Sequence, residues 1–199
     1  MAQKDIKTAQ IISAATDEFL AKGLQAASMQ NIAEIAQVSK RTLYKYYPNK
    51  DVLYSALIDE LLDRMQDMDK FKYQNKRPIR DQLDAIVQKK IELTTSNSFL
   101  NISKIVIGEI LKGRSPNTQQ MERMYKSEMF FIDWVSMAKA DGQITSKLSN
   151  EIIGQQFQSI LKGQIFYPVI LHFTDIKTID LLEVKSLTIN FFINSFCKK

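Results

Sequence analysis

The sequence predicts an all-α protein of about nine helices, and three observations support this prediction. Glycine and proline are scarce, at 6 and 4 of 199 residues, which favours long helices over sheets with many tight turns. Apolar residues recur at helical spacing along most of the chain, without a convincing strand or an internal repeat. The composition shifts once, near residue 70, so we predict an N-terminal domain over 1–68 and a second helical domain over 69–199.

Three short helices are predicted at the N-terminus. Apolar spacing indicates the first over residues 6–22, and Gly23 ends it. Ser28 and Ser39 are suitable N-caps for the second and third, and Pro48 stops the third. The predicted inward faces are Ile32, Ile35 and Ala36 in the second helix, and Leu43 and Tyr47 in the third.

Residues 28–47 therefore form one unit of two short helices joined by a tight turn at Gln37 and Val38. Such a pair is too small to bury its apolar faces alone, and the first helix supplies the third wall. This is the helix-turn-helix arrangement, whose second helix lies in the major groove of DNA.

Positive charge in this unit is one-sided. The chain has a formal net charge of +5, and no acidic residue occurs from Ile35 through Lys50. A solvated basic face unrelated to DNA is the alternative interpretation. The coincidence of paired short helices, caps and one-sided charge favours double-stranded DNA as the partner.

Individual side chains have distinct predicted roles on DNA. Lys40 and Arg41 follow the Ser39 cap, so we expect them to enter the groove and read guanine. Lys50, at the start of the next helix, is expected to bind phosphate. The remaining predicted DNA-contacting residues are Ser28, Gln37, Ser39, Thr42, Tyr44, Lys45 and Tyr46.

The residues from Gly23 to Ala33, and from Ala36 through Lys50 to Leu53, closely resemble the TetR family of bacterial transcription regulators. The resemblance covers roughly residues 8–60. Two positions depart from the family pattern. Gln37 stands where glycine is common, which predicts a strained left-handed conformation, and Tyr46 stands where histidine is frequent.

The resemblance implies a homodimeric repressor that binds a palindromic operator and is released by a small-molecule effector. The segments Ile105–Glu109 and Ala140–Ile144 look like an AcrR/AefR-type subgroup, which implies an efflux or detoxification gene as the target. A DNA-binding protein of the same fold, either without a ligand or with a chromosome-organising role, remains the alternative.

Six further helices are predicted after the N-terminal unit. The last two carry more apolar residues than one core needs, which predicts a homodimer interface. The predicted ranges are about 51–68, 78–94, 98–112, 118–140, 146–167 and 176–196.

Two acidic residues, Glu109 and Glu128, fall on apolar helical stripes, where an unpaired carboxylate is costly. Acids among aromatic rings can hold a lipophilic cation, so one hypothesis is an organic cation as effector. The alternative is that both acids pair with internal side chains and that the aromatic stripe is core. The predicted ligand-binding residues are Phe99, Glu109, Tyr125, Glu128, Phe131, Trp134 and Phe157.

The sequence argues against an enzyme and predicts no cofactor and no metal. It contains one histidine, His172, and one cysteine, Cys197, without a catalytic partner, a metal-ligand spacing or a glycine-rich phosphate loop nearby. No signal peptide and no apolar stretch of membrane-spanning length is evident. We therefore expect a cytoplasmic protein with no membrane partner.

Overall fold

A computed structural model describes residues 2–198, and this part of the chain is helical apart from its connecting loops. Its only extended pairing is an isolated bridge between Ile144 and Cys197, so the predicted all-α fold is confirmed. No helix of this part has the length and hydropathy needed to cross a bilayer.

The helices are α1 Ala2–Ala26, α2 Met29–Ile35, α3 Lys40–Tyr46, α4 Lys50–Gln66, α5 Ile79–Thr95, α6 Asn97–Leu111, α7 Thr118–Ala140, α8 Asn150–Leu161, α9 Tyr167–Ile170 and α10 Leu181–Phe196.

Local capping decides where two of the later helices begin. α8 starts after Ser149, whose hydroxyl accepts the Ile152 N–H, and not at residue 146 as predicted. α10 starts after Asp180, whose carboxylate accepts two backbone N–H groups, and not at residue 176. A side-chain acceptor at the N-cap bonds backbone N–H groups of the first turn that have no acceptor within the helix. The two helices therefore begin at these caps, although the apolar pattern extends further upstream. A π-helical turn, Lys162–Phe166, joins α8 to α9.

The described chain divides into two compact units. The first comprises the residues up to Asp63 together with Asn97–Met121, and the second comprises Arg64–Ser96 and the residues from Glu122 onward. The segment after α6 explains part of this division. The Arg114 guanidinium pairs with the Asp51 carboxylate, and the Gln120 amide donates to the Ser55 carbonyl at 3.0 Å. The functional division into 1–68 and 69–199 stays a prediction.

The core of the second unit is a cluster of aromatic rings. Phe131 and Phe157 stack with their ring centroids 4.0 Å apart, and both side chains are fully buried. Trp134 stacks on the other side of Phe131 at 5.3 Å, and Phe192 meets Phe157 edge-on at 5.6 Å. Aliphatic side chains of α5 complete this core.

The buried stripe of α7 departs from its apolar pattern over the first half of the helix. Met121, Met124 and Tyr125 lie at helical spacing, but they are 49%, 36% and 66% exposed. Gln120 and Ser127 are buried in their place, and both have hydrogen-bond partners. Two buried polar residues therefore shift the stripe, which hydrophobic periodicity alone does not reveal.

Candidate nucleic-acid interface

The pair α2 and α3 is held by two serine caps. The Ser28 hydroxyl accepts the Asn31 N–H at 3.4 Å, and the Ser39 hydroxyl accepts the Thr42 N–H at 3.1 Å. Both predicted N-caps are therefore confirmed. Between the helices, the Val38 N–H donates to the Ala33 carbonyl at 3.0 Å, which closes a tight turn.

The apolar sides of α2 and α3 face α1 and each other. Leu43 and Ile32 are fully buried, Tyr47 and Ala36 are nearly so, and Phe19 of α1 is 2% exposed. Ile35, which was predicted to point inward, is instead 50% exposed. Ile32 and Ala36 are buried as predicted, and Met29 and Ala33 are buried in addition, in place of Ile35.

The outer face of α3 carries the predicted DNA-reading side chains. Lys40, Arg41, Tyr44 and Lys45 are exposed, while Thr42 and Tyr46 are half-buried. Gln37 and Ser39 are exposed beside them, and Ser28 and Lys50 are half-buried at neighbouring helix starts. A short, capped helix with an exposed basic face and no acid nearby has the form of a major-groove reader.

Two of the lysines in this region already have partners inside the protein. The Lys40 ammonium donates to the Gln30 side-chain oxygen at 2.7 Å, and the Lys50 ammonium donates to the Gln25 carbonyl. In contrast, the Arg41 guanidinium has no partner among residues 2–198. Lys40 must therefore break its hydrogen bond with Gln30 before it can contact a base, whereas Arg41 needs no such step.

A buried carboxylate that sequence reasoning missed fixes the start of α2. Glu18 of α1 is 4% exposed, and it accepts the Ser28 N–H at 3.0 Å and pairs with the Lys22 ammonium at 3.0 Å. The backbone hydrogen bond from Ser28 is the main reason that the pKa of Glu18 lies below its ordinary value, with Lys22 adding to it. The role of Glu18 becomes clear only from its contact with the N-cap Ser28, which lies ten residues further along the chain.

Glu18→Gln is expected to lower the free energy of unfolding by about 1.5–3 kcal/mol near neutral pH, because it removes a charged acceptor from a buried network. Since the pKa is depressed in the folded state, the stabilisation is present above the unfolded pKa and is lost as pH falls through the folded value. Thermal melts of both proteins across this acid range check the prediction. Glu34→Gln, an exposed change on α2, is the control. A stability difference between Glu18→Gln and wild type that persists at low pH would contradict the prediction.

Gln37 in the turn has a φ of 54°, which confirms the predicted left-handed conformation. Gln37→Gly is expected to raise the free energy of unfolding by about 0.5–1 kcal/mol, because glycine adopts this conformation without a Cβ clash. Chemical denaturation measures the change. Gln155→Gly, at an exposed position inside α8, is the matched control and should instead destabilise by about 1 kcal/mol.

Comparison with known proteins identifies the N-terminal segment. Residues 11–57 match the family model described as "Bacterial regulatory proteins, tetR family". These residues span α2, α3, most of α1 and about half of α4. Residues 11–57 are therefore similar to the helix-turn-helix domain of the TetR family.

Curated relatives agree over this domain. The chain is 43% identical to the HTH-type transcriptional regulator RutR of Escherichia coli (strain K12) over 53 residues, which is 27% of this chain and 25% of RutR. It is 28% identical to the uncharacterized regulator YdeS of Bacillus subtilis (strain 168) over 121 residues, or 60% and 55% of the two chains. The chain thus spans about a quarter of the length of RutR, and these relatives are regulators and not enzymes.

Solved structures extend the likeness to the whole fold. A TetR family transcriptional regulator from Pseudomonas syringae pv. tomato str. DC3000 superposes with a TM-score of 0.73 at 25% identity, with 96% of each chain covered. The SmeT–triclosan complex has the same fold, with a TM-score of 0.69 at 17% identity over 97% and 92% of the chains. The chain is thus similar to TetR-family regulators in its N-terminal domain and in its fold, whereas the AcrR/AefR subgroup stays a prediction.

The predicted ligand-binding residues lie in different surroundings. Phe99 and Glu109 belong to the first compact unit, and Tyr125 is largely exposed on α7. The remaining aromatic rings, Phe131, Trp134 and Phe157, are together, but they are packed against one another as core.

Both acidic candidates have lysine partners. Glu109 is buried, and its carboxylate pairs with Lys112 at 2.8 Å. Glu128 is about half-exposed and pairs with Lys162 at 3.2 Å. These contacts favour the alternative interpretation, internal pairing, over a counter-charge for an organic cation. The described residues contain no group of three or more histidine, cysteine, aspartate or glutamate side chains suited to a metal.

Proposed function

We propose that this protein is a homodimeric transcriptional repressor that binds a palindromic operator through α3. The observation that carries the proposal is the surface of α3, which is capped by Ser39, exposed along its basic face and without an acidic residue of its own. Arg41 at its N-terminal turn has an uncommitted guanidinium group, which suits a bidentate contact with guanine. Because its partner is chromosomal DNA, the protein acts in the cytoplasm.

A small molecule is proposed to release the protein from its operator, with an efflux or detoxification gene as the target. The likeness to SmeT, whose solved structure is a complex with triclosan, supports a ligand-responsive second unit. The flavonoid-responsive regulator FrrA is a further fold neighbour, with a TM-score of 0.64 at 22% identity over 97% and 98% of the chains.

Dimer formation is proposed through the last helices of the second unit. Side chains buried there, such as Phe157 and Phe192, are committed to the core. A separate set of large apolar side chains remains exposed, and a water-exposed apolar surface of this extent is typical of a protein interface. Its members are Leu148, Ile152, Tyr167, Leu171, Phe173, Leu182, Leu187 and Phe191.

Phe191→Glu is expected to raise the dimer dissociation constant roughly tenfold or more, because it places a charge in the apolar centre of the proposed interface. Phe191 is 47% exposed on α10, so the isolated unit can accept the change. Sedimentation equilibrium measures the constant. Leu111→Glu, at an 82% exposed position in the first unit, is the control and should leave it unchanged.

Selection of binding sites from random double-stranded DNA tests the proposed function. We expect enrichment of an inverted repeat whose half-site centres lie about 34–36 Å apart, or one helical turn, because a dimer presents two copies of α3. No enrichment would contradict DNA reading by α3. A genome-wide map that shows many dispersed sites, instead of one or a few promoters, would favour the chromosome-organising alternative.

A further inference from the structure

The connector between α4 and α5 forms one side of a pocket in the second unit. The pocket has a volume of about 220 Å³ and is smaller than the roughly 300–1,000 Å³ typical of sites for drug-sized ligands. Its floor is apolar and includes Phe71, Ile86 and Trp134. Its rim is polar and includes three cationic residues of the connector, Lys70, Lys72 and Arg77.

Two buried side chains hold the connector in place. Gln82 is 4% exposed, and its amide nitrogen donates to the carbonyls of Gln74 and Arg77, both at 2.9 Å. Its amide oxygen accepts the Gln74 N–H at 2.9 Å. Tyr73 is 9% exposed, donates its hydroxyl to Asp141, and meets the Trp134 ring edge-on at 5.4 Å. The pocket is therefore formed before any ligand binds, which lowers the entropy cost of binding.

The charge of the lining is positive. The Lys70 ammonium pairs with the Asp67 carboxylate at 2.6 Å. Within the described part of the chain, the Arg77 guanidinium bonds only the neutral Gln74 side chain, at 3.2 Å. Among the side chains that the structure describes, Lys72 has no partner and the pocket lining includes no carboxylate. Two unneutralised cations at the rim of an apolar floor favour an anion and disfavour a cation.

The floor also contains a buried donor without an acceptor. Trp134 is 2% exposed, and its indole N–H has no hydrogen-bond partner within the described part of the chain. A buried N–H that is left unpaired costs about 1–3 kcal/mol, so such groups are rare in folded proteins.

We propose that this pocket binds a small organic carboxylate, with the carboxylate at Lys72 and Arg77 and the apolar body against Ile86 and Trp134. The sequence analysis suggested an organic cation as effector. The positive charge of this lining instead favours an anion. The proposal names the effector class of the regulator, and in that respect it rests on the proposed function. Ligand binding can be measured without DNA, so the proposed ligand site and the proposed function as a DNA-binding repressor can fail separately.

Intrinsic fluorescence tests the proposal, because Trp134 is the only tryptophan of the chain and reports directly on the pocket. The protein is titrated with 4-phenylbutyrate, octanoate and benzoate, with 4-phenylbutylamine as the matched cation and with inorganic phosphate. We expect a saturable change with at least one carboxylate, at an affinity roughly tenfold or more above that of the amine and weaker at high salt. Phosphate, which lacks an apolar body, should bind more weakly.

The double variant Lys72→Gln plus Arg77→Gln should weaken carboxylate binding roughly tenfold or more. Lys147→Gln plus Lys198→Gln removes the same charge from exposed positions and should leave the affinity unchanged. Trp134→Phe, followed by calorimetry, should also weaken binding. No saturable change with any carboxylate, equal binding of the amine, or an unaltered double variant would each overturn the proposal, whatever the result of the operator selection.

Discussion

Arg41→Ala is expected to weaken binding to the selected operator by about 1–3 kcal/mol while changing the affinity for random DNA much less. The physical reason is that Arg41 is exposed on the first turn of α3 and has no partner to lose among the side chains that the structure describes. A guanidinium that makes two hydrogen bonds to one guanine discriminates between bases, whereas a phosphate contact does not. Titration against the operator and a scrambled duplex of equal length measures both affinities.

Lys50→Ala is the matched comparison for Arg41→Ala, because it removes one positive charge from the same surface. Its ammonium lies at the start of α4, where it donates to the Gln25 carbonyl and can turn to a phosphate. We expect affinity to fall alike on operator and scrambled DNA, and the slope of log affinity against log salt to drop by about one. If the two variants lose the same factor on both duplexes, the assignment of separate roles is wrong.

The sequence predicted the helix-turn-helix unit well because its signals are local. Ser28 and Ser39 each cap a helix through an N–H three residues away, and Gln37 adopts the predicted left-handed turn. Such short-range chemistry can be read from adjacent residues. Glu18 was missed because its partner at Ser28 lies across a helix junction. Nothing in the spacing of a single acid indicates which distant N–H it will accept.

The partners of the two predicted ligand-binding acids could not be predicted, for a different reason. Glu109 and Glu128 were placed on apolar stripes from periodicity, which cannot show that Lys112 and Lys162 neutralise them. The pocket under the α4–α5 connector was also invisible, because its lining combines a loop with the middle of α7. Long-range packing of this kind depends on tertiary contacts that one sequence does not reveal.

Phe157→Ala is expected to lower the free energy of unfolding by about 3–5 kcal/mol, the largest effect of any single change considered for stability. Phe157 is fully buried, stacks on Phe131 at 4.0 Å and meets Phe192 edge-on at 5.6 Å. Its removal leaves a cavity and forfeits two aromatic contacts. Urea unfolding at one fixed protein concentration measures the loss, because dimerisation makes stability depend on concentration.

The same variant decides whether this aromatic cluster is core or a ligand cavity. Phe173→Ala, at a 79% exposed position, is the control and should change stability by no more than about 0.5 kcal/mol. A side chain that lines an empty cavity already lacks contacts on one side, so truncating it costs much less than truncating a packed ring. A loss below about 1 kcal/mol for Phe157→Ala would therefore contradict the packed core and restore Phe131, Trp134 and Phe157 as ligand-binding candidates.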